Sequence, residues 1–109
     1  TPEQMLSSLS RFDALPDDTL VSCAHESTET NGRFALTVDP DNADLARRMQ
    51  DVAARRARGE PTVPSLLGDE RRTNPFLRSG TEGIRHAVGL EDAPQVEVFA
   101  EVRRRKDHF

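Results

Sequence analysis

Apolar positions in the first part of the chain recur at helical spacing. Met5, Leu6, Leu9, Phe12 and Leu15 fall along one stripe. Thr1 can cap, Pro2 suits the first helical position, and Gln4 follows the cap at capping-box spacing. A helix is therefore predicted from the first residues up to Pro16-Asp17-Asp18, which end it. Thr19-Leu20-Val21-Ser22-Cys23-Ala24 is a short apolar run that reads as a strand. No second segment of comparable quality offers to pair with it, so its sheet is expected to lie outside this chain.

Helical patterning then takes over. Phe34, Ala35, Leu36 and Val38 form the apolar side of a helix that stops at Asp39-Pro40. The clearest element follows, from about residue 42 to 58, with Leu45, Met49, Val52 and Ala53 on one face, Asp44 in the first turn and Gly59 past the end. Arg47-Arg48 and Arg55-Arg56 read as its exposed face. Pro61, Pro64 and Pro75 break residues 60–79 into short turns and loops, with Ser65 as a cap for the turn at Leu66. Residues 81–88 suit a short helix, and Pro94 opens a last one with Val96, Phe99, Ala100 and Val102 inward and Arg103-Arg104-Arg105-Lys106 in its final turns.

Composition narrows the function classes. At 109 residues the chain is one small unit. No apolar run approaches the ~20 residues of a membrane-spanning helix, and the first residues do not resemble a signal peptide. A lone Cys23 forms no internal disulfide and fits no zinc module, which makes a reducing compartment, the cytoplasm, the expected location. A net charge of −4 argues against nucleic-acid binding while leaving room for a local basic site.

Two places carry candidate chemistry. In Ser22-Cys23-Ala24-His25-Glu26, His25 at a strand end reads either as a metal ligand or as a hydrogen-bonded histidine at a strand-to-helix corner. His86 and His108 stand far from it in sequence, and nothing groups the three. In the last helix, Arg103 and Lys106 share a face and either grip a carboxylate or phosphate or complement the helix dipole as a solvated end. Phosphate loops, nucleophile elbows and paired-Cys metal motifs are absent.

Taken together, several blocks resemble one family. Cys23-Ala24-His25-Glu26, Asn31, Phe34-Ala35, Val38-Asp39-Pro40-Asp41-Asn42, Pro61-Thr62-Val63-Pro64-Ser65, Thr73-Asn74-Pro75-Phe76-Leu77-Arg78 and Val98-Phe99-Ala100, followed by Arg104-Arg105-Lys106-Asp107, look like the C-terminal third of hydroxyacylglutathione hydrolase, or glyoxalase II. The likeness implies a mainly α chain. Residues 27–109 would be the small helical glutathione-binding domain, and residues 1–26 one helix and one strand left over from an αββα metallo-β-lactamase-type domain. It implies hydrolysis of glutathione thioesters, chiefly S-D-lactoylglutathione, in methylglyoxal detoxification. His25 would be a ligand in a binuclear site holding zinc, or iron or manganese. Asn31, Arg103 and Lys106 would hold the glutathione part, the two cations by its carboxylate.

Two departures follow from the same comparison. The family's Gly and Tyr on either side of His-Glu are Ala24 and Ser27, which removes a ring-sized substrate contact. The family's Thr-His-x-His-x-Asp-His motif is not in this chain and would belong to an N-terminal metal-binding domain. Since His25 alone cannot hold two metals, the chain by itself is expected to be inactive and not to bind zinc stably. The alternative is a non-catalytic glutathione-thioester binding or interaction module. Residues 1–26 would be loosely ordered, self-associate or pack back on the helices, with the independent fold beginning at residue 28.

Overall fold

A computed structural model of the chain describes residues 1–21, 28–61 and 65–109. The first helix, α1 (Pro2–Ser10), starts where the sequence signals it. The Gln4 amide donates to Thr1 Oγ1 at 3.2 Å while the Gln4 side chain accepts from the Thr1 amine, a reciprocal cap that satisfies donors the helix itself cannot. A 3-10 turn, Arg11–Ala14, continues it to Leu15, whose extended backbone precedes Pro16. No residue of α1 is buried, and the helix lies against the last one, α6 (Gln95–Asp107).

The strand prediction needs correcting in one respect. Strand β1 (Leu20–Val21) does find a partner within the chain, pairing antiparallel with β2 (Ser65–Leu66) in the register Leu20 to Leu66 and Val21 to Ser65. Two residues inside a proline-punctuated stretch are too few to show a period. The pairing continues as backbone bonds from Leu67 N to Thr19 O at 2.7 Å and Gly68 N to Asp17 O at 2.9 Å. A Cβ on Gly68 would stand 2.8 Å from the Asp17 Cβ, so this approach needs glycine. Arg71 completes the attachment: its guanidinium pairs with Asp17 and donates to the carbonyls of Phe12 and Leu15. Residues 1–21 thus lie back on the helical part.

The helical part is built from α2 (Thr28–Val38), α3 (Ala43–Ala57), α4 (Leu67–Thr73), α5 (Glu82–Ala87) and α6. Among the described residues these helices and one two-stranded ribbon make a mainly α fold. Asn42 caps α3 by accepting from Leu45 N at 3.2 Å, and Gly59, at φ 72°, follows its C-terminus. α2 crosses α3 at Gly32, where an added Cβ would collide with the Met49 sulfur. Phe34, Val38, Ile84, Val88, Val98 and Val102 form the core, with Phe76 packed against it. The inward stripe of α6 centres on Val98, Phe99 and Val102; Val96 and Ala100, expected inside, flank it and are half-buried. Ser65 also departs from its expected role, because its hydroxyl donates to Glu70 Oε2 at 3.0 Å and the α4 cap position falls on Leu66.

Candidate functional site

The last turns of α6 carry four consecutive cations, and the structure sorts them by partner. Glu101 takes two: it accepts from Arg104 Nε at 2.9 Å and Nη2 at 2.6 Å, and from Arg105 Nε at 2.7 Å. Those donated bonds hold its carboxyl down to about 2, against burial, which pulls the other way. A carboxyl lowered on folding adds stability above its unfolded value, near 4.5, and loses it as pH falls toward 2. Glu101→Gln should therefore cost about 1 kcal/mol at neutral pH, allowing for solvent screening, with the difference closing between about pH 5 and pH 2. Urea titrations across that range would read it, and a pH-independent gap would refute the assignment.

Arg103 and Lys106 are held differently. Arg103 Nε lies 3.9 Å from Asp107 Oδ1, and its Nη1 is directed at the Met5 sulfur of α1. Lys106 has no carboxylate partner among the described residues; its ammonium stands 5.8 Å from the centre of the Phe34 ring.

Two concavities meet at Lys106. One, of about 150 Å³, lies between α2, α3 and residues 73–76, and Asn31, Gly32, Met49 and Lys106 are among its walls. The other is an open groove of about 540 Å³ between α1 and α6, bounded by Gln4, Met5 and Ser8 on one side and Phe99, Arg103 and Lys106 on the other. Asn74 and Phe76 border both. The structure thus brings Lys106 together with Asn31 in the first space and with Arg103 in the second, while Asn31 and Arg103 do not share a wall. The larger space falls within the range usual for small-molecule sites with a few convergent polar groups, and the smaller one is a side recess beside it.

Two polar networks keep these walls in place. Arg48, which the sequence placed on an exposed face, is largely covered: it pairs with Glu70 at 2.6 Å and donates to Thr73 Oγ1 at 2.7 Å. Its position three residues after buried Leu45 turns it toward the core side of α3. Glu70 also accepts from Asn74 Nδ2 at 3.1 Å, and Asn74 Oδ1 accepts from Phe76 N at 2.9 Å, which fixes the turn that borders both spaces. In the second network, Asp39 at the end of α2 accepts from Arg78 Nε and Asn42 Nδ2, each at 2.9 Å, and Asn42 Nδ2 also donates to Arg72 O at 2.7 Å. The Asp39-Pro40-Asp41-Asn42 and Asn74-Pro75-Phe76-Leu77-Arg78 blocks are thereby tied together behind the site.

His25, Cys23, Ala24 and Ser27 lie outside the described residues. Among the described residues no group of three or more His, Cys, Asp or Glu is placed to hold a metal ion. The described part of the chain does not by itself fit a metal centre. Nor, among those residues, is any helix long and apolar enough to cross a membrane.

Residues 26–109 match the family model described as "Hydroxyacylglutathione hydrolase C-terminus". The chain is 57% identical over 109 residues to a hydroxyacylglutathione hydrolase of Ruegeria pomeroyi, covering 100% of this chain and 43% of that one. It is 55% identical to one of Maricaulis maris, again over 100% of this chain and 43% of the relative. A relative from Synechococcus sp. strain JA-2-3B'a(2-13) is 57% identical over 100% of this chain and 42% of its own length. The chain thus spans less than half the length of these curated relatives.

Proposed function

Because the chain belongs to the hydroxyacylglutathione hydrolase C-terminal family, we propose that it supplies the glutathione-recognition surface of an enzyme hydrolysing hydroxyacyl thioesters of glutathione, S-D-lactoylglutathione above all. The supporting observation is the pair Arg103 and Lys106 on one wall of the α1–α6 groove, with Lys106 lacking a carboxylate partner among the described residues. A substrate carboxylate seated there meets a forked donor and a point charge. Asn31 adds a polar contact from α2 beside Lys106. Arg104 and Arg105 are held by Glu101 at 2.6 and 2.7 Å, whereas Arg103 stands 3.9 Å from Asp107, which leaves Arg103 and Lys106 the less engaged pair for an anion.

In this reading the chain's residues bind and orient. Fixing the glutathione tail places the thioester carbonyl where water adds and the carbon–sulfur bond breaks, releasing glutathione and D-lactate; holding reactants in place is worth several powers of ten in rate. The reaction centre would be a binuclear zinc site, or one with iron or manganese, to which His25 contributes one ligand. An N-terminal metal-binding domain would supply the others, since His25 is too little for a site alone.

Calorimetric titration of the chain with glutathione and S-lactoylglutathione tests the proposal. Binding should weaken about tenfold in Arg103→Ala and in Lys106→Ala, as expected for loss of one charge-assisted contact. A parallel zinc titration should give no stoichiometric complex, and the chain should not hydrolyse the thioester. Affinity unchanged in both variants would overturn the proposal.

A further inference from the structure

We propose that Phe34 is the positioning residue of Lys106: its ring face sets where the ammonium stands between the two concavities, so that α2 aims the cation that α6 carries. A lysine side chain has a flexible four-carbon stem, and an ammonium with no carboxylate to hold it would ordinarily sweep a wide volume. Here no such carboxylate is present among the described residues, and the Nζ lies 5.8 Å from the Phe34 centroid, within the range of attraction between a cation and an aromatic face.

The ring that does the aiming is itself fixed. Phe34 is 1% exposed. It stacks on Phe76 with centroids 6.4 Å apart and makes a T-shaped contact with Phe109 at 5.6 Å, and Phe76 in turn meets Phe99 at 5.5 Å. These offset and edge-to-face geometries are the favoured ones for aromatic pairs. The row therefore runs from Phe99 in the interior through Phe76 and Phe34 to Phe109 at the surface, and the ammonium stands over its third ring, Phe34. The Phe109 amide donates to the Lys106 carbonyl at 3.2 Å, which keeps the outer ring and the cation in the same turn. Arg103 follows a different logic, being drawn to α1 through Met5. Each of the two cations is thus aimed by a different element, Lys106 by α2 and Arg103 by α1.

A consequence for the ligand rests on the glutathione reading above. If Phe34 acts only through Lys106, its influence on binding disappears once the ammonium is gone. The experiment is a double-mutant cycle of Phe34→Leu and Lys106→Met, with glutathione affinity read by calorimetry and the Lys106 side-chain protons read by NMR in the absence of ligand.

Phe34→Leu should weaken glutathione binding roughly two- to fivefold in the parent chain and leave it unchanged in the Lys106→Met background. In the parent chain the Lys106 Cε protons should resonate upfield of their free-chain position, and the shift should vanish in Phe34→Leu. Equal losses from Phe34→Leu in both backgrounds would overturn the positioning role. So would Cε protons at their free-chain position in the folded parent, a measurement that needs neither the variant to fold nor glutathione to bind. If the shift is present but Lys106→Met binds glutathione as well as the parent, the functional reading fails while the positioning of the ammonium stands.

Discussion

Replacing Asp39 by Ala is expected to destabilise the chain by about 3 to 5 kcal/mol, the range for breaking a buried ion pair by removing one partner. Asp39 is 3% exposed, and its Oδ2 accepts from both Arg78 and Asn42. Its loss leaves a guanidinium and an amide donor facing a space that water reaches poorly. Arg78 is only three-quarters covered, which places the effect toward the lower end of the range. Domains of this size are stable by about 5 to 15 kcal/mol, so a substantial unfolded fraction should appear at physiological temperature. Asp39→Asn keeps an acceptor oxygen for Arg78 and should cost less. Urea unfolding followed by circular dichroism would separate the three proteins, and a loss below about 1 kcal/mol for Asp39→Ala would show that the pair does not hold the end of α2 to residues 74–78.

Truncating Phe99 to Ala should cost about as much, 3 to 5 kcal/mol, for a different reason. The ring is fully buried on α6 and meets Phe76 edge-on at 5.5 Å. Its removal forfeits transfer energy and leaves a void beside the α1–α6 groove that Phe99 borders. Glutathione binding should fall with stability in this variant, because Phe76, which borders both concavities, loses its support. Phe109 provides the comparison: at 57% exposed, its replacement by Ala should cost about 1 kcal/mol or less. Thermal unfolding of the two variants side by side checks the contrast, and similar melting temperatures would contradict it.

Much of this architecture is legible in the chain. Thr1, Pro2 and Gln4 announce α1, and Asn42 and Gly59 bracket α3, because caps are local chemistry written in adjacent residues. What escapes is non-local. β2 is only two residues long, and its pairing with β1 depends on a bond network across the ribbon rather than on any period. Arg48 looks like a surface cation until Glu70 and Thr73 arrive from α4. The site divides in the same way. Arg103 and Lys106 stand out as cations at helical spacing, but the Met5 contact of Arg103 spans 98 positions and the Phe34 contact of Lys106 joins α2 to α6. The blocks around Asp39 and Asn74, which carried the likeness to a known family, include residues that tie the frame together behind the cavities rather than line them.

The attachment of residues 1–21 also has a history in time. Arg71 reaches back 54, 56 and 59 positions to Asp17, Leu15 and Phe12, and β1 waits for a partner that lies beyond α3. Closing so long a loop is entropically costly until the intervening helices have shortened the path. The α2–α3 pair, by contrast, joins neighbouring segments and can form early. The first helix and strand are therefore expected to dock late, onto helices already assembled, and to open before α3 does. A protease that samples brief openings would cut between residues 11 and 21 well before it reached α3.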